Sequence, residues 1–159
     1  MANSLSHLSP TGEAHMVDVS AKSPTLRRAK AEAFLLLAPA TLRALKNNTG
    51  PKGEALSVAR IAGIQAAKRT GDLIPLCHPL PVEQVTVDFE ILPDRVRILA
   101  TATITAKTGI EMEALTAVAI AGLTLIDMLK AIDPAMQITG IRLLEKTGGK
   151  SDYRAAPAN

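Results

Sequence analysis

One stretch limits the fold more than any other: residues 109–133, GIEMEALTAVAIAGLTLIDMLKAID. Its composition predicts a single long helix over 110–132, entered from Thr108-Gly109. At about 100° per residue, Glu113, Thr116, Thr124, Asp127 and Lys130 share one stripe roughly 120° wide. Ala117 and Ile120 interrupt that stripe, and the remaining surface is apolar. A helix of this kind has to be covered around most of its circumference. A sheet covers one side. The opposite apolar margin has no obvious partner within 159 residues, which implies contact with a second copy. The most apolar run, 114–126, carries Thr116 and Thr124 and falls short of the roughly 20 residues a bilayer span needs. The expectation is a core helix of a soluble, cytosolic protein with no membrane contact.

The flanking segments supply the sheet. Residues 25–37, TLRRAKAEAFLLL, alternate Ala29, Ala31 and Ala33 with Lys30, Glu32 and Phe34. Their Ala and Leu content also suits a helix, but Pro39 opens a separate short helix, PATLRALKN, so the stretch reads as a strand. Residues 47–53, NNTGPKG, are a loop by composition. ALSVARIAGIQAAKRTG reads as a helix ended by Gly71. VEQVTVDFEI and RVRILATATIT alternate on either side of Leu92-Pro93-Asp94, as a hairpin does. QITGIRLLEK, broken at Gly140, is a last strand before a Gly-Gly turn. The order strand, helices, strand, strand, helix, strand is the split βαβ, ferredoxin-like α+β pattern: an antiparallel sheet packed with helices. A single domain is expected over 15–150, between a flexible segment 1–14 and a flexible tail 151–159.

Charge and composition narrow the ligand. The net charge is +3, aromatic residues make up 2% and there is no tryptophan. The basic residues are scattered. A nucleic-acid binder clusters them and adds stacking rings, so a small phosphorylated ligand fits better than a polymer. A ferredoxin-like binding module for nucleic acid or protein, and a structural metal protein, are the rival classes. One cysteine excludes an intrachain disulfide. The first twenty residues contain no apolar run of signal-peptide length.

Several side chains have both a structural and a chemical reading. Glu111 and Glu113, in the first helical turn, complement the helix dipole or face a ligand. Asp127 and Lys130 are an i,i+3 pair, either an ordinary surface contact or a partly buried acid–base couple. Glu113 and Asp127 lie roughly 21 Å apart along the helix at about 1.5 Å per residue. One compact site cannot use both ends of the stripe. Either the ends serve different sites, or a ligand of nucleotide-triphosphate length spans part of it. Lys52, in a Gly/Pro-bracketed loop, is a solvated lysine or a mobile cation that closes over phosphate. Lys146 and Lys150 flank a Gly-Gly turn whose amides could approach an anion.

Residues 72–81, DLIPLCHPLP, gather three prolines, Cys77 and His78. They do not form a metal signature, because no second cysteine exists and His7 and His15 lie near the N-terminus. In an extended chain Cys77 and His78 would point to opposite faces, which disfavours a nucleophile pair. The segment is a buried kink, or a stiff extended bridge that holds His78 as a hydrogen-bonding or proton-handling group.

The blocks HMVDVSAK, ARIAGIQAAKRTGDLIPLCHPL, KTGIEMEALTAVAIAGLTLIDMLKAID and RLLEKTGGKS closely resemble the MoaC family, the cyclic pyranopterin monophosphate synthases of molybdenum-cofactor biosynthesis. The resemblance covers about residues 13–151. It implies a ferredoxin-like fold and a homohexamer built as a trimer of dimers with sites at the dimer interface; no cofactor or metal is expected, since the residues carry no metal-ligand signature. It also implies a lyase that converts 3′,8-cyclo-7,8-dihydroguanosine 5′-triphosphate to cyclic pyranopterin monophosphate and pyrophosphate. By the same resemblance, Asp127, Lys52 and Lys130 are catalytic. Leu76, Cys77, His78, Met112, Glu113, Glu111, Arg27 and Lys146 bind substrate. Gly71 falls at a variable position, and Asp152 stands where many members have glycine.

Overall fold

Residues 12–156 are described by a computed structural model; His7, most of the segment 1–14 and the end of the tail lie outside them. The alternation in the sequence becomes a sheet with strands β1 (Thr25–Leu36), β2 (Gln84–Ile91), β3 (Arg95–Ala106), β4 (Gln137–Thr147) and β5 (Tyr153–Arg154). The order is β2-β3-β1-β4-β5, and every pairing is antiparallel. The first four strands follow the ferredoxin-like arrangement, with β1 and β3 at the centre. Helices α1 (Pro39–Lys46), α2 (Ala55–Lys68) and α3 (Thr70–Leu73) connect β1 to β2, and α4 (Glu111–Leu129) connects β3 to β4.

Period-two placement sends Ala29, Ala31, Ala33 and Leu35 of β1 to the helical side, together with Val96, Ile98, Ala100, Ala102 and Ile104 of β3. Small side chains on β1 let the helices sit close to the strands. Helix α4 lies against β1, β3 and β4 and against α2. By length and composition it could cross a membrane. Its apolarity is accounted for by this packing, since Ala114, Ala117, Val118, Ala121, Leu125 and Leu129 are all fully covered.

The opposite face of the sheet carries charge. Glu32 is 1% exposed and sits between two guanidinium groups, Arg97 and Arg142, each 2.7 Å from its carboxylate. Arg97 also reaches Glu90 at 3.0 Å. A buried carboxylate needs such partners, because an unpaired charge out of water is strongly disfavoured.

Four local features differ from the sequence reading. The helix expected to end at Gly71 ends at Lys68, and Gly71 lies inside α3. Residues 72–81 are not an extended bridge, because the Cys77 amide donates to the Ile74 carbonyl and turns the chain. The break expected at Gly140 is a bulge within a continuous strand. Gly140 adopts φ 59° where the β1–β4 register shifts between Glu32 and Phe34. Tyr153–Arg154, in the segment expected to be a flexible tail, pair with Glu145 and Lys146.

Helices α2 and α4 touch where α2 lacks a side chain. A Cβ at Gly63 would lie 2.9 Å from the Ala117 carbonyl oxygen and 3.1 Å from Val87. Helix propensity alone favours alanine there by about 1 kcal/mol. Overpacking against a backbone oxygen costs about 1–3 kcal/mol. Gly63→Ala is therefore expected to lower stability in urea unfolding. A stabilised variant would show that the two helices are not held at this spacing.

Candidate active site

Helix α4 carries functional side chains at both ends, and its surroundings change along its length. At the N-terminal end Glu113 is 3% exposed, whereas Asp127 and Lys130 near the C-terminal end face solvent. The polar stripe thus runs from a buried pocket to an open surface.

The N-terminal end borders a cavity of about 320 Å³ lined by Leu76, Cys77, His78, Leu80, Thr108, Gly109, Glu111, Met112 and Glu113. The turn at Ile74–Cys77 brings Leu76, Cys77 and His78 to one cavity, where an extended chain would have divided them between faces. The segment before β1 holds the histidine: His78 Nε2 lies 2.9 Å from the Val17 carbonyl oxygen. A carbonyl only accepts, so Nε2 carries the proton and Nδ1 of the neutral ring is an acceptor. Lys107 Nζ donates to the Ser20 carbonyl of the same segment at 2.8 Å.

Burial pushes the Glu113 carboxyl up to about 7; the nearby Glu111 charge adds to the rise and its own backbone amide partly offsets it. No cation is paired with it among the described residues. Burial, with the Glu113 charge, also raises the Cys77 thiol. Cys77 is therefore a protonated wall of the cavity and a poor nucleophile.

Through Gly109 and Glu111 this cavity adjoins a second one of about 230 Å³, lined by Arg27, Arg28, Gly109, Ile110, Glu111, Lys146, Thr147, Gly149 and Lys150. Four cations face one carboxylate there. Lys146 contacts Glu111 at 3.2 Å. Arg27 donates from Nε to the Ala106 carbonyl at 3.0 Å, which fixes the guanidinium beneath the β3–α4 connection. The cleft suits an anion with several charges.

At the other end of α4, Lys52 and Lys130 each place Nζ 2.7 Å from a different oxygen of Asp127. Their hydrogen bonds, Lys130 first and then Lys52, hold the Asp127 carboxyl down at about 2. Lys52 arrives from the Gly-bracketed loop ahead of α2 through a contact far away in sequence. The surface ion pair expected between Asp127 and Lys130 is thus a three-membered cluster, open to solvent. Among the described residues no three His, Cys, Asp or Glu side chains gather as a metal ligand set.

Every carried-over residue thus falls into one of two clusters. Leu76, Cys77, His78, Glu111, Met112, Glu113, Arg27 and Lys146 surround the N-terminal end of α4. Lys52, Asp127 and Lys130 form the other cluster, and within one protomer the two are not brought together. Sequence reasoning passed over Arg28, Thr108 and Gly109. Arg28 is legible only as the neighbour of Arg27 in TLRRA, and strand alternation alone argues against both lining one cavity.

Comparison with known proteins gives the family. Residues 16–149 match the MoaC family model. The chain belongs to the MoaC family. It is 57% identical over 150 residues, 94% of its length and 85% of the relative's, to cyclic pyranopterin monophosphate synthase 3 of Mycobacterium tuberculosis. It is 55% identical over 160 residues, 99% of its length and 94% of the relative's, to cyclic pyranopterin monophosphate synthase 1 of Mycobacterium bovis. The MoaC match spans both clusters on α4, so a single family domain contains both sets of side chains.

The two carboxylates respond oppositely to pH. Asp127 is depressed, so its contribution to stability is present above about 4 and fades as pH falls toward 2. Glu113 is raised: between its unfolded value near 4.5 and about 7 the native state holds the extra proton, so stability falls as pH rises through that window. Glu113→Gln removes this slope. The variant's advantage over wild type should grow from near zero at pH 4.5 to on the order of 3 kcal/mol by pH 8, at roughly 1.4 kcal/mol per unit of pKa change. Urea unfolding at several pH values measures it; a difference independent of pH would contradict the buried, unpaired state of Glu113.

Proposed function

We propose that this chain is a cyclic pyranopterin monophosphate synthase of the cytoplasm. It takes 3′,8-cyclo-7,8-dihydroguanosine 5′-triphosphate, forms the cyclic monophosphate and releases pyrophosphate. Relatives named cyclic pyranopterin monophosphate synthase align over nearly the whole chain. The structural observation that carries the reading is the pairing of a four-cation cleft with an adjoining cavity that has no cation in its lining. A polyphosphate attached to a purine-derived ring needs both.

Arg27, Arg28, Lys146 and Lys150 offset the phosphate charges, Arg as a planar fork and Lys as a point charge. When a hydroxyl attacks the α-phosphorus, pyrophosphate leaves with the bonding electrons, and these cations stabilise its growing charge. The ring half lies against Leu76, Met112 and Glu113. His78, held through Nε2–H, offers Nδ1 to the ligand.

Ring opening and closure require proton transfers, which the Lys52–Asp127–Lys130 cluster supplies. Asp127 is a fixed anion that holds two ammonium groups, and the lysines are the proton carriers. The exposed ion pair ties Lys52 weakly, so its loop is free to close over a bound anion.

A protomer alone separates this cluster from the cleft by most of α4. The family resemblance adds a homohexamer, a trimer of dimers, and in the reading one protomer's cluster completes its partner's cleft. Exposed Val58 and Ile61 on α2 and Leu123 on α4 supply apolar surface for such contacts.

Pyrophosphate release from the cyclic triphosphate is the direct test. Wild type is expected to release it stoichiometrically with product. Lys52→Ala is expected to lose about 10²-fold or more in kcat, the range for a removed acid–base group, and Asp127→Asn, which removes the anion that positions both lysines, is expected to lower kcat as well. Wild type without turnover, or Lys52→Ala at the wild-type rate, would overturn the reading.

A further inference from the structure

The turn after β4 reverses the chain between Lys146 and Lys150, and a single amide is its hinge. Gly148 has φ +85°, and a Cβ there would lie 1.9 Å from the Leu26 carbonyl oxygen, so the turn is pressed onto the start of β1. Thr25 Oγ1 donates to the Gly148 carbonyl at 2.7 Å. The Gly148 amide donates to Asp152 Oδ1 at 3.1 Å. Beyond Asp152 the chain is tied down again: Tyr153 and Arg154 pair with Lys146 and Glu145. Arg154 reaches the Glu145 carboxylate at 3.0 Å, and the Ala155 amide donates to the Leu144 carbonyl at 2.8 Å.

Both neighbours of Gly148, Thr147 and Gly149, line the cationic cleft, as do Lys146 and Lys150. The position of the two lysines therefore depends on the turn, which Thr25 holds at the Gly148 carbonyl and Asp152 holds at the Gly148 amide. A carboxylate beside a site for anions is electrostatically unfavourable. Its place here is explained by the hydrogen bond it accepts.

We propose that Asp152, with β5 behind it, is a positioning residue that holds turn 146–150 in the shape that binds the ligand's pyrophosphate end. This rests on the reading of the cleft as a polyphosphate site. Asp152 acts through the Gly148 amide, not by touching the ligand. The segment 152–155 is thereby part of the functional domain.

The electrostatic and positioning roles of Asp152 predict opposite signs. If it were only a nearby negative charge, both Asp152→Ala and Asp152→Asn would bind inorganic pyrophosphate more tightly than wild type. If its oxygen positions the turn, Asp152→Asn keeps an acceptor and Asp152→Ala does not. Calorimetric titration of the full-length wild type and both variants with pyrophosphate separates the cases, with amide exchange of Gly148 recorded alongside.

The expected result is about fivefold weaker binding by Asp152→Ala, the scale of one lost hydrogen bond. Asp152→Asn should bind at least as tightly as wild type, and only Asp152→Ala should speed Gly148 exchange. Under turnover, the alanine variant should raise KM more than it lowers kcat. Asp152→Ala binding as tightly as wild type, or equal weakening in both variants, would overturn the positioning role while leaving the lyase reading intact. A wild type that neither binds pyrophosphate nor turns over would overturn both.

Discussion

The close seating of α4 between α2 and the sheet is the constraint on which the rest depends. Gly63 presents bare backbone to the Ala117 carbonyl, and alanines on β1 and α4 meet with little side-chain bulk between them. Interiors packed this closely resist small displacements. A helix held this way works as a rigid spacer. Its N-terminal turn is fixed beside Cys77 and His78, and its C-terminal turn is fixed beside the Lys52 loop. Neither end moves relative to the other without repacking the core.

The same helix sets two carboxylates to opposite protonation tendencies. Glu113 is sealed under the 74–80 turn without a cation and is pushed up to about 7. Asp127 is in solvent between two lysines and is held at about 2. Environment, not residue type, separates their protonation tendencies. On the far face of the sheet, Glu32 follows the other route open to a buried carboxylate. It is neutralised by Arg97 and Arg142, and it lies outside both α4 clusters.

Much of this was legible in the residues. Alternation placed β1, β2 and β3 to within about two residues, and the stripe on α4 located both clusters before any coordinates. The separation of Glu113 from Asp127 already divided the candidate site in two. For the 72–81 segment the choice between a kink and an extended bridge stayed open, because proline content signals stiffness but not direction; the Cys77–Ile74 hydrogen bond turns it. Gly140 read as a break within its strand because a bulge and a break have the same one-residue signature. Arg28 was missed because strand alternation opposes its sharing a cavity with Arg27. The Lys52–Asp127 contact was not legible, since no local pattern joins a loop to a helix end so distant in sequence.

The central claim is that the two ends of α4 serve one reaction only when a second protomer brings them together. Co-expression of two inactive copies, one Lys52→Ala and the other Glu113→Ala, measures this directly. If each site takes its catalytic cluster from one protomer and its cleft from the partner, mixed dimers contain one intact site, and about a quarter of wild-type pyrophosphate release should return. Mixed assemblies that form yet release none would contradict a shared site.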